Sequence, residues 1–138
     1  TPECLLSCAD DDLRGLGMSR PKIRYARALA EDISSGHLNL NALARMSDAN
    51  AMQALQSVTG IGRWTAEIYC LFCLGRPDVW PAGDIAVQAA YQHLHGLPHR
   101  PKEQEFDEIA ENWRPVRGVA ALILWNYYRH IKKRPIWE

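Results

Sequence analysis

The sequence predicts an all-α fold, and three observations carry that prediction. Apolar residues recur at three- and four-residue spacing through most of the chain, the period of an amphipathic helix. No alternating pattern long enough for a strand interrupts them. Ser, Asp and Pro stand where such segments begin and Gly where they end, as helix caps require. With 138 residues the chain reads as one domain, 1–138, long enough to bury a core. A content of 47% hydrophobic and 23% charged residues is that of an ordinary globular protein. The longest apolar run, Val119 to Trp125, has seven residues, far from the roughly 20 that cross a bilayer, so no membrane partner is expected. Sixteen basic and sixteen acidic residues give a net charge of zero. That argues against nucleic-acid binding through a broad electrostatic field but leaves local phosphate contacts open. The chain begins at Thr1 with no signal-peptide pattern, and an upstream start is expected.

Taken in order, Thr1-Pro2-Glu3 reads as a capped helix start with Pro at its first position. Asp10-Asp11-Asp12 opens a second short helix that stops at Gly15-Leu16-Gly17. Ser19 is placed to cap a longer helix from Arg20 to about Ser35, ended by Gly36. Its apolar face carries Ile23, Ala26, Ala30 and Ile33; the other carries Arg20, Arg24, Arg27 and Glu31, a basic face that could approach a phosphate backbone but for which a merely solvated face is the favoured reading. A brief helix is expected over Leu40 to Arg45, and a further one, capped by Ser47 or Asp48, turns Met52 and Leu55 inward. The segment from Ala66 to Leu74 is apolar on nearly every side and reads as the central buried helix, closed by Gly75 and Pro77. After a short extended piece, Asp78 to Gly83, Asp84 heads a helix carrying Ile85, Val87, Ala90, Tyr91 and Leu94. Lys102 to Trp113 is amphipathic, and Pro115 is expected to start the last long helix, reaching about Lys132 with a basic tail of Arg129, Lys132, Lys133 and Arg134.

Chemistry gathers on Val58-Thr59-Gly60-Ile61-Gly62-Arg63-Trp64-Thr65-Ala66. Two glycines flanking one aliphatic residue make a tight hairpin: glycine allows φ > 0 and a close backbone approach, while Ile61 can plug the core. The helix that follows, from about Arg63 to Leu74, opens with N–H groups and the positive end of its dipole toward the glycines, an anion site whose best-fitting occupant is a nucleic-acid phosphate. Helix, hairpin, helix is thus the motif, although Gly60 as a mere helix C-cap would explain part of it. Asp84, behind a rigid Pro-Ala-Gly lead, is the residue placed to carry chemistry; alone it would read as an ordinary N-cap. Cys4, Cys8, Cys70 and Cys73 do not complete a metal set, and are expected to be buried, reduced thiols of a cytosolic protein.

Three stretches together resemble the helix-hairpin-helix DNA glycosylases, in particular the 3-methyladenine DNA glycosylase II branch that excises alkylated bases. They are Leu55 to Ala66, Val79 to Asp84, and Trp113-Arg114-Pro115-Val116-Arg117-Gly118 through Leu124-Trp125. Gly15 to Lys22 extends the match, being similar to the family's GLS-x-x-K element before a long helix. The resemblance implies that Asp84 is the catalytic aspartate. It implies that Gly60, Gly62, Arg63 and Thr65 contribute the DNA phosphate site, and that the backbone carbonyls of Gln56, Val58 and Gly60 bind a monovalent cation, Na or K, no other cofactor being required. Trp64, Trp125 and Tyr69 are implied as base-pocket aromatics, Tyr69 standing beside Ile68 where an aromatic is expected. The implied partner is double-stranded DNA with alkylated bases. The implied protein is a monomer acting in the bacterial cytoplasm or, in a eukaryote, the nucleus. Trp64 stands where bifunctional members carry a lysine nucleophile, so a Schiff-base lyase lacks its amine. The family's further N-terminal helices, which supply a wedge and part of the pocket, have no counterpart here, so the chain looks like the C-terminal two-thirds of that domain.

The implied reaction is physically coherent. A flipped nucleotide costs a few kcal/mol, and the positive charge of an alkylated purine is attracted to an indole face by roughly 0.5–2 kcal/mol. Breaking the N-glycosidic bond builds oxocarbenium character at C1′, which a facing carboxylate stabilises while it orients water. The competing expectation is a non-catalytic hairpin module that binds DNA. Asp84 separates the two, because a carboxylate near phosphates only repels DNA unless it has chemistry to perform.

Overall fold

The structure, a computed structural model, describes residues 1–132. Lys133 and Arg134 of the expected basic tail lie outside the described residues. Among the described residues there are helices and turns and no strand, and no helix is long and apolar enough to cross a membrane. The chain forms two compact units, Thr1–Ala66 and Glu67–Glu138.

The first unit contains α1 (Pro2–Ser7), α2 (Asp10–Gly15), α3 (Arg20–Ser34), α4 (Leu40–Leu43) and α5 (Asp48–Gln56). Helix α6 (Arg63–Phe72) begins in it and continues into the second unit. Thr1 caps α1 through a hydrogen bond from the Cys4 N–H, with Pro2 at the first position, and Ser47 caps α5 by accepting from the Asn50 N–H. Ser19 precedes α3 in an extended conformation but makes no capping bond with its side chain. Helices α1 and α2 pack on α3. Arg27 secures that packing: its guanidinium bonds the carbonyls of Leu6 and Cys8, at 3.2 and 2.6 Å, and the Asp10 carboxylate at 2.7 Å. Arg27 is therefore a structural clamp and not part of a solvated face. Leu13, Ile23, Ala30, Leu38, Leu43, Ala51, Leu55 and Val58 are buried, whereas Met52 is only half-buried.

The second unit continues with α7 (Ile85–His95), α8 (Glu103–Ala110), a 3-10 turn (Glu111–Trp113) and α9 (Arg117–Ile131). Trp80, Ala82, Val87, Ala90, Phe106, Ala110, Ala121 and Leu124 form its core. Ala90 on α7 and Ala121 on α9 are small enough to let those helices pack closely, and Trp80 sets its ring edge-on to Phe106 at 4.8 Å and to Trp113 at 5.2 Å. The start of α9 is tied down by a charged cluster. Asp78 accepts from the Arg117 backbone and guanidinium and from Arg114, and Glu111 bridges both arginines. Gly118 sits against the same segment, donating its N–H to the Pro77 carbonyl at 2.7 Å. A Cβ there would overlap Leu71 and come within 2.8 Å of that carbonyl.

Several expectations are corrected. The last helix starts at Arg117, not Pro115, because the preceding turn closes through the Val116 N–H on Trp113 and through the Arg117–Asp78 bonds. The expected Lys102 to Trp113 helix narrows to 3-10 geometry after Ala110. Helix α6 is not buried all round: Ala66, Glu67, Cys70 and Leu71 face inward while Phe72 and Cys73 are exposed, so its apolar composition does not translate into burial. Ile85 on α7 is exposed as well, since the 3.6-residue period turns it away from Val87 and Ala90, and Leu94, on the same side as those two, is exposed in the last turn of the helix. Of the four thiols, all free, Cys70 alone is fully buried.

Candidate nucleic-acid interface and carboxylate site

The hairpin follows from its residues. Helix α5 ends at Gln56, with Ser57 as its C-cap donating to the Gln53 and Leu55 carbonyls. Val58, 2% exposed, anchors the turn in the core, and the Ile61 N–H closes it on the Val58 carbonyl at 3.1 Å. Gly60 takes φ +94°, a conformation that only glycine adopts without strain. A Cβ on Gly60 would also strike the ring of Tyr25, which lies against it from α3. Gly62 differs: it lacks a positive φ and has open space at its Cβ position, so of the two glycines only Gly60 is demanded by the fold. Ile61 is half-buried, consistent with a plug. The first rung of the α6 ladder runs from the Ala66 N–H to the Gly62 carbonyl. Arg63, Trp64 and Thr65 therefore have their N–H groups ahead of that ladder, at the positive end of the helix, and all three residues are exposed.

The Asp84 site is built by the other unit. Pro81 and Ala82 are buried, the Asp84 N–H bonds the Pro81 carbonyl at 2.9 Å, and the Gln88 amide reaches back to the Ala82 carbonyl at 2.7 Å. This fixes the turn that presents Asp84 at the head of α7. Its Oδ1 accepts three hydrogen bonds: from the Ala86 N–H at 2.8 Å, the Val87 N–H at 2.9 Å, and the Trp125 indole Nε1 at 3.0 Å. The first two make the helix cap that the sequence suggested. The third comes from α9 and exceeds what a cap requires. Asp84 is 8% exposed, so the carboxylate is held within the fold and still reaches its surface.

Trp125 is half-buried and its ring lies 5.6 Å from that of Phe72, a contact that sequence reasoning missed because Phe72 was assigned to a buried helix. Tyr69 is half-buried on α6; burial raises its phenol above the ordinary value, helped by the Cys73 and Cys70 thiols, so it keeps its proton at neutral pH. Trp64, half exposed, belongs to the hairpin end of α6 in the first unit. Asp84 and Trp125 are thus brought together within one unit, while Gly60, Gly62, Arg63, Thr65 and Trp64 share the hairpin in the other. Among the described residues, no cluster of His, Cys, Asp or Glu could hold a metal ion.

An all-helical chain with a glycine hairpin opening one helix and an indole-bonded aspartate heading another defines a helix-hairpin-helix protein. The chain belongs to the HhH-GPD superfamily of base excision DNA repair proteins, whose family model matches residues 1–115. It is 35% identical over 126 residues to DNA-3-methyladenine glycosylase 1 of Schizosaccharomyces pombe, an alignment covering 91% of this chain and 55% of that protein. It is 30% identical over 125 residues to DNA-3-methyladenine glycosylase 2 of Escherichia coli, covering 91% of this chain and 41% of that one. The solved structure of the S. pombe 3-methyladenine DNA glycosylase in complex with abasic DNA superimposes with a TM-score of 0.85 at 34% identity, over 91% of this chain and 62% of that one. The chain therefore spans about half the length of the curated relatives it matches.

Proposed function

We propose that the protein is a monofunctional DNA N-glycosylase that removes alkylated purines of the 3-methyladenine type from double-stranded DNA, acting as a monomer. The observation that carries this reading is the Trp125 indole N–H on Asp84 Oδ1, a third donor on an already capped carboxylate. It fixes the acid's orientation from a second helix, as a reacting group needs and a cap does not. In this reading the hairpin amides of Gly62, Arg63 and Thr65 hold a backbone phosphate. The flipped base enters beside Trp125 and Tyr69. Asp84 stabilises the oxocarbenium at C1′ and orients water. An alkylated base is already a good leaving group, so no second acid is needed. The positions of Gln56, Val58 and Gly60 support a monovalent cation at the hairpin: Gln56 ends α5, where the helix dipole is negative, and backbone carbonyls are hard oxygen donors. Titrating Na or K against choline should raise the melting temperature if those carbonyls bind the ion; no shift would remove the cation from the reading.

The test of the main reading is single-turnover release of 3-methyladenine from methylated duplex. Asp84→Asn should lose about 10²–10³-fold in rate, the cost of one preorganised electrostatic group, while keeping its affinity for abasic DNA. Release at the parent rate would reduce Asp84 to a helix cap and favour the DNA-binding module.

A further inference from the structure

The basic face of α3, for which the sequence favours solvation over approach to a phosphate backbone, borders a cleft of about 600 Å³ in the first unit, and Thr59 of the hairpin lines that same cleft. Its four arginines are not equivalent. Arg27 is committed to Asp10 and two carbonyls, and Arg14 to Asp11 at 3.3 Å. Arg20 and Arg24 remain, one turn apart on one face and both exposed. Arg20 has no ion-pair partner among the described residues. Glu31, on the same cleft, is eleven residues beyond Arg20, roughly 16 Å along the helix, and leaves the N-terminal half positive. The first turn of α3 contains no acidic residue. A cation at the positive end of a helix dipole works against folding, so helix stability does not account for Arg20.

Tyr25 links this pair to the hairpin. Its ring occupies the space that a Cβ on Gly60 would need, the Arg24 guanidinium stands 4.9 Å from the ring centroid, and Arg24 Nη2 donates to the Tyr25 hydroxyl at 3.1 Å. Arg24 is thereby held beside the phosphate-binding turn at the cost of little side-chain freedom. We propose that Arg20 and Arg24, steadied by Tyr25 against Gly60, bind further backbone phosphates of the DNA that the hairpin anchors. This proposal rests on the DNA-binding reading and adds to it a second, side-chain contact that net charge conceals.

The experiment is fluorescence anisotropy of the full-length protein with a short duplex carrying a stable abasic analogue, between 50 and 200 mM KCl, paired with 3-methyladenine release. Arg20→Gln and Arg24→Gln should each make the slope of log K against log salt shallower by about 0.9, the value for one phosphate contact. Arg20→Gln relieves a dipole conflict and does not threaten folding. Tyr25→Phe, which keeps the ring on Gly60 and removes the hydroxyl, should flatten the slope less than Arg24→Gln. Arg45→Gln, an exposed arginine outside the cleft, should leave it unchanged. Equal slopes for parent and arginine variants overturn the proposal, as does an Arg45→Gln effect matching that of Arg24→Gln. Arginine-dependent slopes without base release support it while refuting the glycosylase reading; base release with unaltered slopes does the reverse.

Discussion

The side chain of Asp84 directs one oxygen at three donors, two at the start of α7 and one on α9, so its chemistry can be perturbed from the Trp125 side without uncapping the helix. Trp125→Phe retains an aromatic face and deletes only the N–H. A hydrogen bond to a charged group is worth about 1.5–3 kcal/mol, or roughly 10–100-fold in rate where it is felt in the transition state. Single-turnover base release should fall by that factor, less than for Asp84→Asn, with abasic-DNA affinity retained. A parent-like rate would show that the indole bond serves packing alone. At Trp64 the expectation concerns the product. With indole in place of an amine, borohydride should trap no covalent protein–DNA species and the abasic strand should stay intact. A trapped adduct would identify another amine as nucleophile.

Helix α9 carries Trp125 from a start fixed by Asp78, Arg114, Arg117 and Glu111, and by the contact of Gly118 with Pro77. Gly118→Ala adds a methyl group where Leu71 and the Pro77 carbonyl already sit. Overpacking of this kind costs about 1–3 kcal/mol, which urea denaturation should report as a lower midpoint at unchanged slope. Asp78 gives this start a pH dependence. Burial pushes its carboxyl up, but the hydrogen bonds from Arg117 and the charges of Arg117 and Arg114 outweigh that and hold it below the ordinary value. A depressed folded pKa contributes stability that is full above the unfolded value, about 3.9, and is lost as pH falls through the folded one. Acid unfolding followed by circular dichroism should therefore be less steep below about pH 4 for Asp78→Asn than for the parent, and the variant less stable at pH 7. Parallel acid curves would mean that the cluster is fully screened.

Across the molecule, what the sequence disclosed was whatever depends on neighbouring residues. The helical class, the Thr1, Ser47 and Asp84 caps and the hairpin at Gly60 all follow from local spacing, and all are present in the structure. Contacts between distant positions were not legible: Trp125 on Asp84, Tyr25 on Gly60, Arg27 on Cys8 and Asp78 on Arg117 join residues 17 or more positions apart and leave no periodic signal. The same limit applies to charge. Sixteen basic and sixteen acidic residues cancel in the sum, yet pairs such as Arg27–Asp10 and Arg117–Asp78 consume acids and bases locally and leave Arg20 and Arg24 beside the hairpin. The global field is then weak while the local one is not. On the proposed reading, association with DNA depends on a few contacts and little on long-range steering. Three phosphates, one at the hairpin amides and two at the arginines, would give a salt slope of at most about −3, shallower than the −5 to −9 of a protein contacting six to ten phosphates. Stopped-flow association rates should change only modestly between 50 and 200 mM salt, the dissociation rate carrying most of the loss in affinity. A steep fall of the association rate with salt would show that a broad basic surface, and not these few contacts, governs binding.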